Sequence, residues 1–183
     1  MAASYANMFM GHPDSRLLAA APLKPLSWFT LRSKSFDSEC GTDGYVTIDS
    51  HCFKVHEESK TFDDAKSTCD MERGRMAVID NQTTALALND HIRANHTSLV
   101  GYLLGLTDRE VEGEWRWENG DLLGDYPKFN RLQPNDNDRR YNNQGADCGY
   151  MSVVWHLLHK AIDQLYDDIC SHPANFVCER VIV

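Results

Sequence analysis

Two short stretches of the chain near residue 50 are rich in residues that favour strands. Tyr45-Val46-Thr47-Ile48 and Cys52-Phe53-Lys54-Val55 carry most of the β-branched and aromatic residues there, and Asp49-Ser50 lies between them. β-branched and aromatic residues favour strands, whereas Asp and Ser favour turns. The pattern predicts two strands joined by a turn, and a Cys40–Cys52 disulfide would close this hairpin.

Two helices are predicted to follow the hairpin. Thr61 is a favourable N-cap residue and is followed by Phe-Asp-Asp, which places two carboxylates in the first turn. Apolar residues then recur at helical spacing until Gly74, which should end the helix. A second amphipathic helix is predicted from Thr83 or Thr84 to Asn95.

The second half of the chain is predicted to be mainly strands. Short apolar or alternating segments cover Tyr102 to Leu106, Trp115 to Trp117, Gly149 to Trp155 and Phe176 to Val183. Residues 119–147 are instead rich in Asn, Asp, Gly and Pro, and a loop of this length within a compact domain is typical of a functional segment. Helices early and strands late indicate an α+β fold.

Length and charge limit the possible functions. The chain has 183 residues, which suggests one domain and an extension, and 27 Asp and Glu against 18 Lys and Arg give a net charge of −9. An acidic chain is a poor ligand for nucleic acid or an anionic membrane, because both require clustered Lys and Arg. No apolar run approaches the ~18 residues that a membrane-spanning helix needs.

The first 39 residues differ in character from the rest. They contain scattered Pro, Ser and charged residues without a sustained period, so residues 1–39 are predicted to be a flexible leader or stalk. They do not form a good signal peptide, because no basic segment precedes an uninterrupted apolar run. A true N-terminus beyond this chain would explain the missing targeting signal.

The six cysteines indicate an oxidising compartment. None of them forms a Cys-x-x-Cys pair, so an even number favours three disulfides over a zinc site, although the count alone leaves several pairings and buried free thiols open. Asn81-Gln82-Thr83 and Asn95-His96-Thr97 are glycosylation sequons. Together these features favour a secreted or extracellular glycoprotein with Asn81 and Asn95 as acceptors.

Several short motifs follow one another between residues 40 and 180. They are the Cys40 to Cys52 hairpin, Phe62-Asp63-Asp64-Ala65, Leu103-Leu104-Gly105-Leu106, Glu112-Gly113-Glu114-Trp115-Arg116-Trp117, Gln133-Pro134-Asn135-Asp136, Asp147-Cys148, Tyr166-Asp167-Asp168 and Phe176-Val177-Cys178-Glu179. In this order they resemble the long form of the C-type lectin-like domain. Phe62 and Tyr166 depart from that family's pattern, which usually has Trp at both positions.

The resemblance implies a fold and a disulfide pattern. The fold would have two helices, small antiparallel sheets and a long calcium-binding loop region over residues 40–180, with residues 181–183 as a C-terminal tail. The implied disulfides pair Cys40 with Cys52, Cys69 with Cys178, and Cys148 with Cys170.

The resemblance also implies calcium ligands. The family's auxiliary calcium site falls on Asp108, Glu112, Asp136 and Asp147, and all four are carboxylates here. Calcium binds six to eight oxygen atoms, so this composition is suitable. A solvated acidic loop is the alternative.

The family's sugar-binding calcium site is less complete in this chain. Its ligands, which also bind sugar, fall on Gln133, Asn135, Asp167 and Asp168, but Ala146 replaces the usual acid before Asp147. Fewer negative charges predict weaker calcium binding. Asp138, Asn142 or Asn143 could supply the missing ligand.

The motif Gln133-Pro134-Asn135 matches neither family pattern of sugar selectivity. Glu-Pro-Asn accompanies mannose-type sugars and Gln-Pro-Asp accompanies galactose-type sugars. The long loop resembles that of galactose-type members, with Tyr141 in place of their stacking Trp, so galactose-type glycans are favoured. Arg139-Arg140 could favour acidic or sulfated sugars through charge-assisted hydrogen bonds.

Two other functions compete with a calcium-dependent lectin. The segment from Gly105 to Trp117 is similar to matrix-proteoglycan members that bind proteins, which suggests an extracellular protein-binding module with a degraded sugar site. An enzyme is disfavoured. His156/His159 and His51/His56 are the only histidine groupings to consider, His156 and His159 lack a nearby Glu or Cys partner, and no nucleophile motif is present. No function is predicted for residues 155–165.

Overall fold

The computed structural model describes residues 40–41, 43–96, 101–136, 145–153 and 163–181. The predicted leader, residues 1–39, and the last two residues of the predicted tail lie outside these ranges. The elements run in the order β1 (Val46–Ile48), β2 (His51–Lys60), α1 (Phe62–Met71), β3 (Arg75–Met76), α2 (Gln82–Asn95), β4 (Tyr102–Thr107), β5 (Arg116–Trp117), β6 (Cys148–Met151), β7 (Leu165–Asp168) and β8 (Ala174–Arg180).

The strands join in one mixed sheet, which confirms the α+β class. Its main order is β1-β2-β8-β4-β6-β7, with β3 added to β8 and β5 added to β4. Strands β4 and β8 run parallel, and the other paired strands run antiparallel. Strands β3 and β7 are absent from the sequence-based prediction, because two or four residues carry too short a pattern.

Capping fixes the start of both helices. The Thr61 side chain accepts a hydrogen bond from the backbone N–H of Asp64, as predicted, and the Asn81 side chain accepts one from Thr84 at 2.9 Å. Helix α2 therefore starts one or two residues earlier than the sequence suggested. Helix α1 ends at Met71, before Gly74, because Arg73 adopts a φ of 61° that a right-handed helix excludes.

The core lies on the two sides of β8. Helix α2 packs Ala85, Leu88 and Ile92 into one apolar cluster with β4. Helix α1 packs Phe62 and Ala65 into a second cluster that contains the cysteines of all three disulfides. Each helix therefore buries its apolar face in one of the two clusters.

Three disulfides close the domain, and their pairing is the one that the resemblance implied. Cys40 pairs with Cys52, Cys69 with Cys178 and Cys148 with Cys170, over Cα–Cα distances of 5.1–5.3 Å. Cys69–Cys178 ties α1 to the central strand β8, and Cys148–Cys170 ties β6 to the segment after β7. All six cysteines are therefore oxidised, and none is free.

Candidate functional site

A cluster of carboxylates lies where the long loop meets the sheet. Glu112, Asp136 and Asp147 each place one carboxylate oxygen within 4.8 Å of the others. Strands β4 and β6 are neighbours, and Thr107 pairs with Cys148, so the residues after β4 and before β6 meet at one end of the sheet. This register explains why acids far apart in sequence lie together.

Asp108 adds a fourth carboxylate to this region. It is buried, with 4% of its surface exposed, and its Oδ2 accepts a hydrogen bond from the backbone N–H of Gly113 at 3.0 Å. Its backbone N–H donates a hydrogen bond to the backbone carbonyl of Asp147 at 3.3 Å, so the two acidic residues are neighbours in the structure. The Oδ1 atom of Asp108 is buried and has no hydrogen-bond partner in the part of the chain that the structure describes.

Burial and the shared negative charge raise the pKa values of these carboxyl groups. Burial raises the pKa of Asp108, and the charges of Asp147 and Asp136 raise it further. Desolvation and the charges of Asp108, Asp136, Asp147 and Asp167 likewise raise the pKa of Glu112. Burial and Asp136 raise the pKa of Asp147. Carboxylates that repel one another in this way would be stabilised by a bound cation.

Asp136 is held in the cluster by hydrogen bonds on two sides. Its backbone N–H donates to Asp167 Oδ2 at 2.7 Å, and its own Oδ1 accepts from the backbone N–H of Ala146 at 2.9 Å. Its φ of 39° lies in the left-handed region, which Asp tolerates better than most residues. The loop therefore turns sharply at Asp136 and presents its carboxylate to the acids beside it.

Asp167 lies beneath the loop that carries Gln133 and Asn135. Only 8% of its surface is exposed, and its Oδ2 accepts hydrogen bonds from the backbone N–H groups of both Asn135 and Asp136 at 2.7 Å. Its backbone N–H donates to Gln133 Oε1 at 3.4 Å. Its Oδ1 is buried without a hydrogen-bond partner among the described residues. The structure thus brings Gln133, Asn135 and Asp167 together.

Asp168, the next residue of β7, makes a different set of contacts. Neighbouring side chains of a strand point to opposite faces, so Asp168 and Asp167 lie on opposite faces of β7. Its Oδ2 is 2.8 Å from His172 Nδ1, and its Oδ1 accepts from the backbone N–H of Ile169. Sequence reasoning treated the two aspartates as a unit and did not consider His172. The alternation of side chains along β7 is the signal that separates them.

Other residues singled out from the sequence are placed as follows. Tyr141, Asp138, Arg139, Arg140, Asn142, Asn143, His156 and His159 lie outside the described residues. The position of the missing acid, Ala146, is buried, and the side chain of Asn135 is exposed. Asn81 and Asn95, the sequon residues, lie at the two ends of α2.

His51 and His56, the other histidines considered from the sequence, lie close to carboxylates within the domain. His51 Nδ1 lies 3.0 Å from Glu179 Oε1, and the ring of His56 stacks on Phe176 with 4.4 Å between the ring centroids. Glu72 lies 3.4 Å from His56 Nε2. Desolvation by burial lowers the pKa of His56. These contacts give both histidines a structural role.

Fold and site together define a disulfide-bonded binding domain with an acidic loop region. The family profile of the lectin C-type domain matches residues 58–180, more than half of the chain. The chain therefore belongs to the C-type lectin domain family. Membership carries a general carbohydrate-binding role without catalysis.

Curated relatives agree with this assignment. A perlucin-like protein of Mytilus galloprovincialis is 27% identical over 107 residues, which are 58% of this chain and 65% of that protein. Asialoglycoprotein receptor 2 of Mus musculus is 24% identical over 148 residues, which are 80% of this chain and 44% of the receptor. The chain thus spans less than two thirds of the length of these relatives.

Solved structures share the fold. The carbohydrate-recognition domain of the human scavenger receptor C-type lectin has a TM-score of 0.64 at 23% identity, covering 76% of this chain and 97% of that domain. A calcium-independent type II antifreeze protein has a TM-score of 0.61 at 20% identity, covering 78% of this chain and 95% of that chain. The fold alone therefore does not establish calcium dependence. No helix in the described part of the chain is both long enough and apolar enough to cross a bilayer.

Proposed function

We propose that this domain is an extracellular lectin that recognises glycans in a calcium-dependent manner. The observation that carries the proposal is the carboxylate cluster of Glu112, Asp136 and Asp147, whose oxygens lie within 4.8 Å of one another. Three negative charges at this separation repel one another unless a cation or protons compensate them. Calcium is suitable because it accepts several carboxylate oxygens in an irregular arrangement.

The residues present fit a calcium ion. Glu112, Asp136 and Asp147 would hold it together with Asp108, whose buried Oδ1 has no hydrogen-bond partner among the described residues. A buried carboxylate oxygen without a partner is costly, and coordination to a cation would remove that cost. The bound ion would supply positive charge that keeps the loop ends at residues 112 and 136 together. Folding and calcium binding would then be coupled.

The glycan would bind at the loop that calcium orders. Gln133, Asn135 and Asp167 are the described residues of the family's sugar site that lie together here. Asp167 Oδ1, which is also buried and unpartnered among the described residues, could accept a second cation at this position. Ala146 removes one carboxylate from the set, so this second cation would bind more weakly than the first.

Galactose-type glycans are the sugars we propose. The support comes from the sequence: Gln133 matches the galactose-type motif, and the long loop with Tyr141 resembles that of galactose-type members. Arg139-Arg140 in the same loop would favour acidic or sulfated variants through charge-assisted hydrogen bonds. An extracellular location is supported by the three disulfides, which persist in oxidising compartments.

A glycan array tests this function. The oxidised chain is applied in millimolar calcium, a concentration typical of extracellular sites, and again with chelator. Signal on galactose-type glycans that disappears with chelator and with Asp136→Asn is expected. Asp121→Asn is the control, because Asp121 is an exposed acid outside the cluster. Signal that persists in chelator would contradict calcium dependence.

A protein partner is the second candidate function. Leu132, directly before Gln133, exposes 73% of its surface, and an apolar side chain this exposed beside a binding loop suits a protein surface better than a sugar. Silence of the folded chain on every glycan would favour this function.

A further inference from the structure

A groove lies on the side of β7 that Asp168 faces. Its volume is about 330 Å³, near the lower end of the ~300–1,000 Å³ range for small-ligand sites. Leu103 and Ile169 give it an apolar lining, and Tyr150, Asp168, His172 and Asn175 add polar groups. None of the described residues that line it belongs to the carboxylate cluster.

The aromatic wall of the groove is fixed in place. The Tyr150 ring stacks on the ring of Tyr166, with 5.6 Å between centroids and 27° between the planes. Gly101 also lies against the Tyr150 ring: a Cβ atom at residue 101 would be only 2.9 Å from that ring. Glycine at position 101 thus allows the ring to lie close to the backbone, and the ring forms a rigid apolar surface.

The polar groups of the groove are also held in defined positions. Asp168 Oδ2 lies 2.8 Å from His172 Nδ1, which orients the imidazole, and 54% of the His172 side chain is exposed. Asn175 is 7% exposed, and its Oδ1 accepts a hydrogen bond from Ser59 at 3.4 Å. A carboxylate accepts hydrogen bonds only, whereas an amide both donates and accepts.

We propose that this groove binds one pyranose residue of a glycan without calcium. The C–H face of the ring would pack on Tyr150, and its hydroxyls would bond to Asp168, His172 and Asn175. A rigid aromatic surface with oriented donors and acceptors suits a ring whose faces are apolar and whose edges carry hydroxyls. The ligand class rests on the proposed carbohydrate-binding function, but the site is separate from the calcium cluster.

The test is a titration of the full chain in EDTA, followed by NMR. The probes are methyl β-galactopyranoside and methyl α-mannopyranoside, with glycerol as a polyol that lacks a ring. Saturable chemical-shift changes at Tyr150, His172 and Asn175 are expected with at least one pyranoside and not with glycerol. Asp168→Asn and His172→Ala should each weaken binding about tenfold, the loss expected for one charge-assisted hydrogen bond.

Two further variants make the result decisive. Asp90→Asn is the control, because Asp90 is an exposed acid on α2 paired with a basic residue, and it should leave the titration unchanged. Ser59→Trp should fill the groove with a large side chain. It should therefore abolish pyranoside binding, even if Asp168→Asn and His172→Ala still bind weakly. Absence of saturable shifts in EDTA, or shifts that Asp168→Asn and Ser59→Trp leave unchanged, would overturn the proposal.

Failure of the groove proposal can be distinguished from failure of the proposed calcium-dependent function. His172→Ala should retain the chelator-sensitive glycan-array signal, since His172 lines the groove and belongs neither to the carboxylate cluster nor to the sugar-binding calcium site. Asp136→Asn should lose that array signal and retain the shifts in EDTA. Loss of both readouts in either variant would contradict the separation of the two sites.

Discussion

The carboxylate of Asp167 holds Asp136 in place: its Oδ2 accepts a hydrogen bond from the Asp136 backbone N–H at 2.7 Å. Asp167 lies on strand β7, and Asp136 lies in the loop and contributes an oxygen to the carboxylate cluster. The contact therefore links the sheet to the calcium site that we propose. A buried acid on a strand preorganises an exposed acid on a loop.

Replacing Asp167 by Ala should weaken calcium binding, although Asp167 does not belong to the Glu112, Asp136 and Asp147 group. The loop would lose two hydrogen bonds to a charged acceptor, each contributing about 1.5–3 kcal/mol. We expect calcium affinity to fall at least about tenfold, measured by titration calorimetry. Asp167→Asn, which keeps one acceptor oxygen, should lose less. Equal affinity in the wild type and Asp167→Ala would refute the preorganising role.

Acidification should release calcium at a higher pH than isolated carboxylates would. Burial and mutual repulsion raise the pKa values of Asp108, Glu112 and Asp147, so protons compete with calcium above the usual values of ~4. In the calcium-free protein the folded state holds these protons more tightly than the unfolded state does. Its stability should therefore fall as pH rises through this window.

Thermal denaturation across pH, with calcium and with EDTA, checks both effects. The increase in Tm caused by calcium should be close to zero near pH ~4 and should grow toward neutral pH. A calcium-induced shift of the same size at every pH would contradict the linkage.

The Cys69–Cys178 disulfide should stabilise the domain more than Cys148–Cys170. The first closes a separation of 109 residues and the second one of 22. The chain-entropy relation gives about 5 and about 3 kcal/mol, respectively. Replacing each pair by Ala and measuring urea denaturation tests the order. A larger loss of unfolding free energy on removal of Cys148–Cys170 would contradict this order. It would show that packing in the folded state, and not loop-closure entropy, determines how much each disulfide stabilises the domain.

Glu179 should be essential to stability although it does not belong to the carboxylate cluster. It is 1% exposed, and its carboxylate accepts hydrogen bonds from Val78 N–H at 3.1 Å and Arg75 Nε at 3.2 Å. Glu179→Ala would leave these donors unpaired at a buried site, with an expected cost of about 3 kcal/mol. Glu179→Gln should cost less, because it keeps an acceptor. The exposed Glu58→Ala variant is the control in urea denaturation, and an equal effect of both Ala variants would contradict the role of burial.

Sequence patterns predicted the fold where a pattern was long or chemically specific. The Thr61 cap fixed the start of α1, and the motif order gave the disulfide pairing that the structure contains. The cap at Asn81 was not predicted, because Thr83 and Thr84 are also favourable N-cap residues and local sequence does not choose among the three. Gly74 was a misleading stop signal, since the backbone turns one residue earlier, at Arg73.

The candidate site could be predicted only in part. A family resemblance identifies positions, so it named the acids that gather at the cluster. It could not separate Asp167 from Asp168, because that separation depends on which residue of β7 faces inward. It also could not reveal the groove beside Asp168, since Gly101, Tyr150 and His172 meet there only through the pairing of strands far apart in sequence.

Calorimetric titration of the oxidised chain with calcium at neutral pH tests the central claim most directly. We predict saturable binding that Asp136→Asn and Asp147→Asn each weaken by at least about tenfold, because each removes one negative ligand. Asp121→Asn should bind as the wild type does. Absence of calcium binding by the folded wild-type chain, or binding that both cluster variants leave unchanged, would contradict the account.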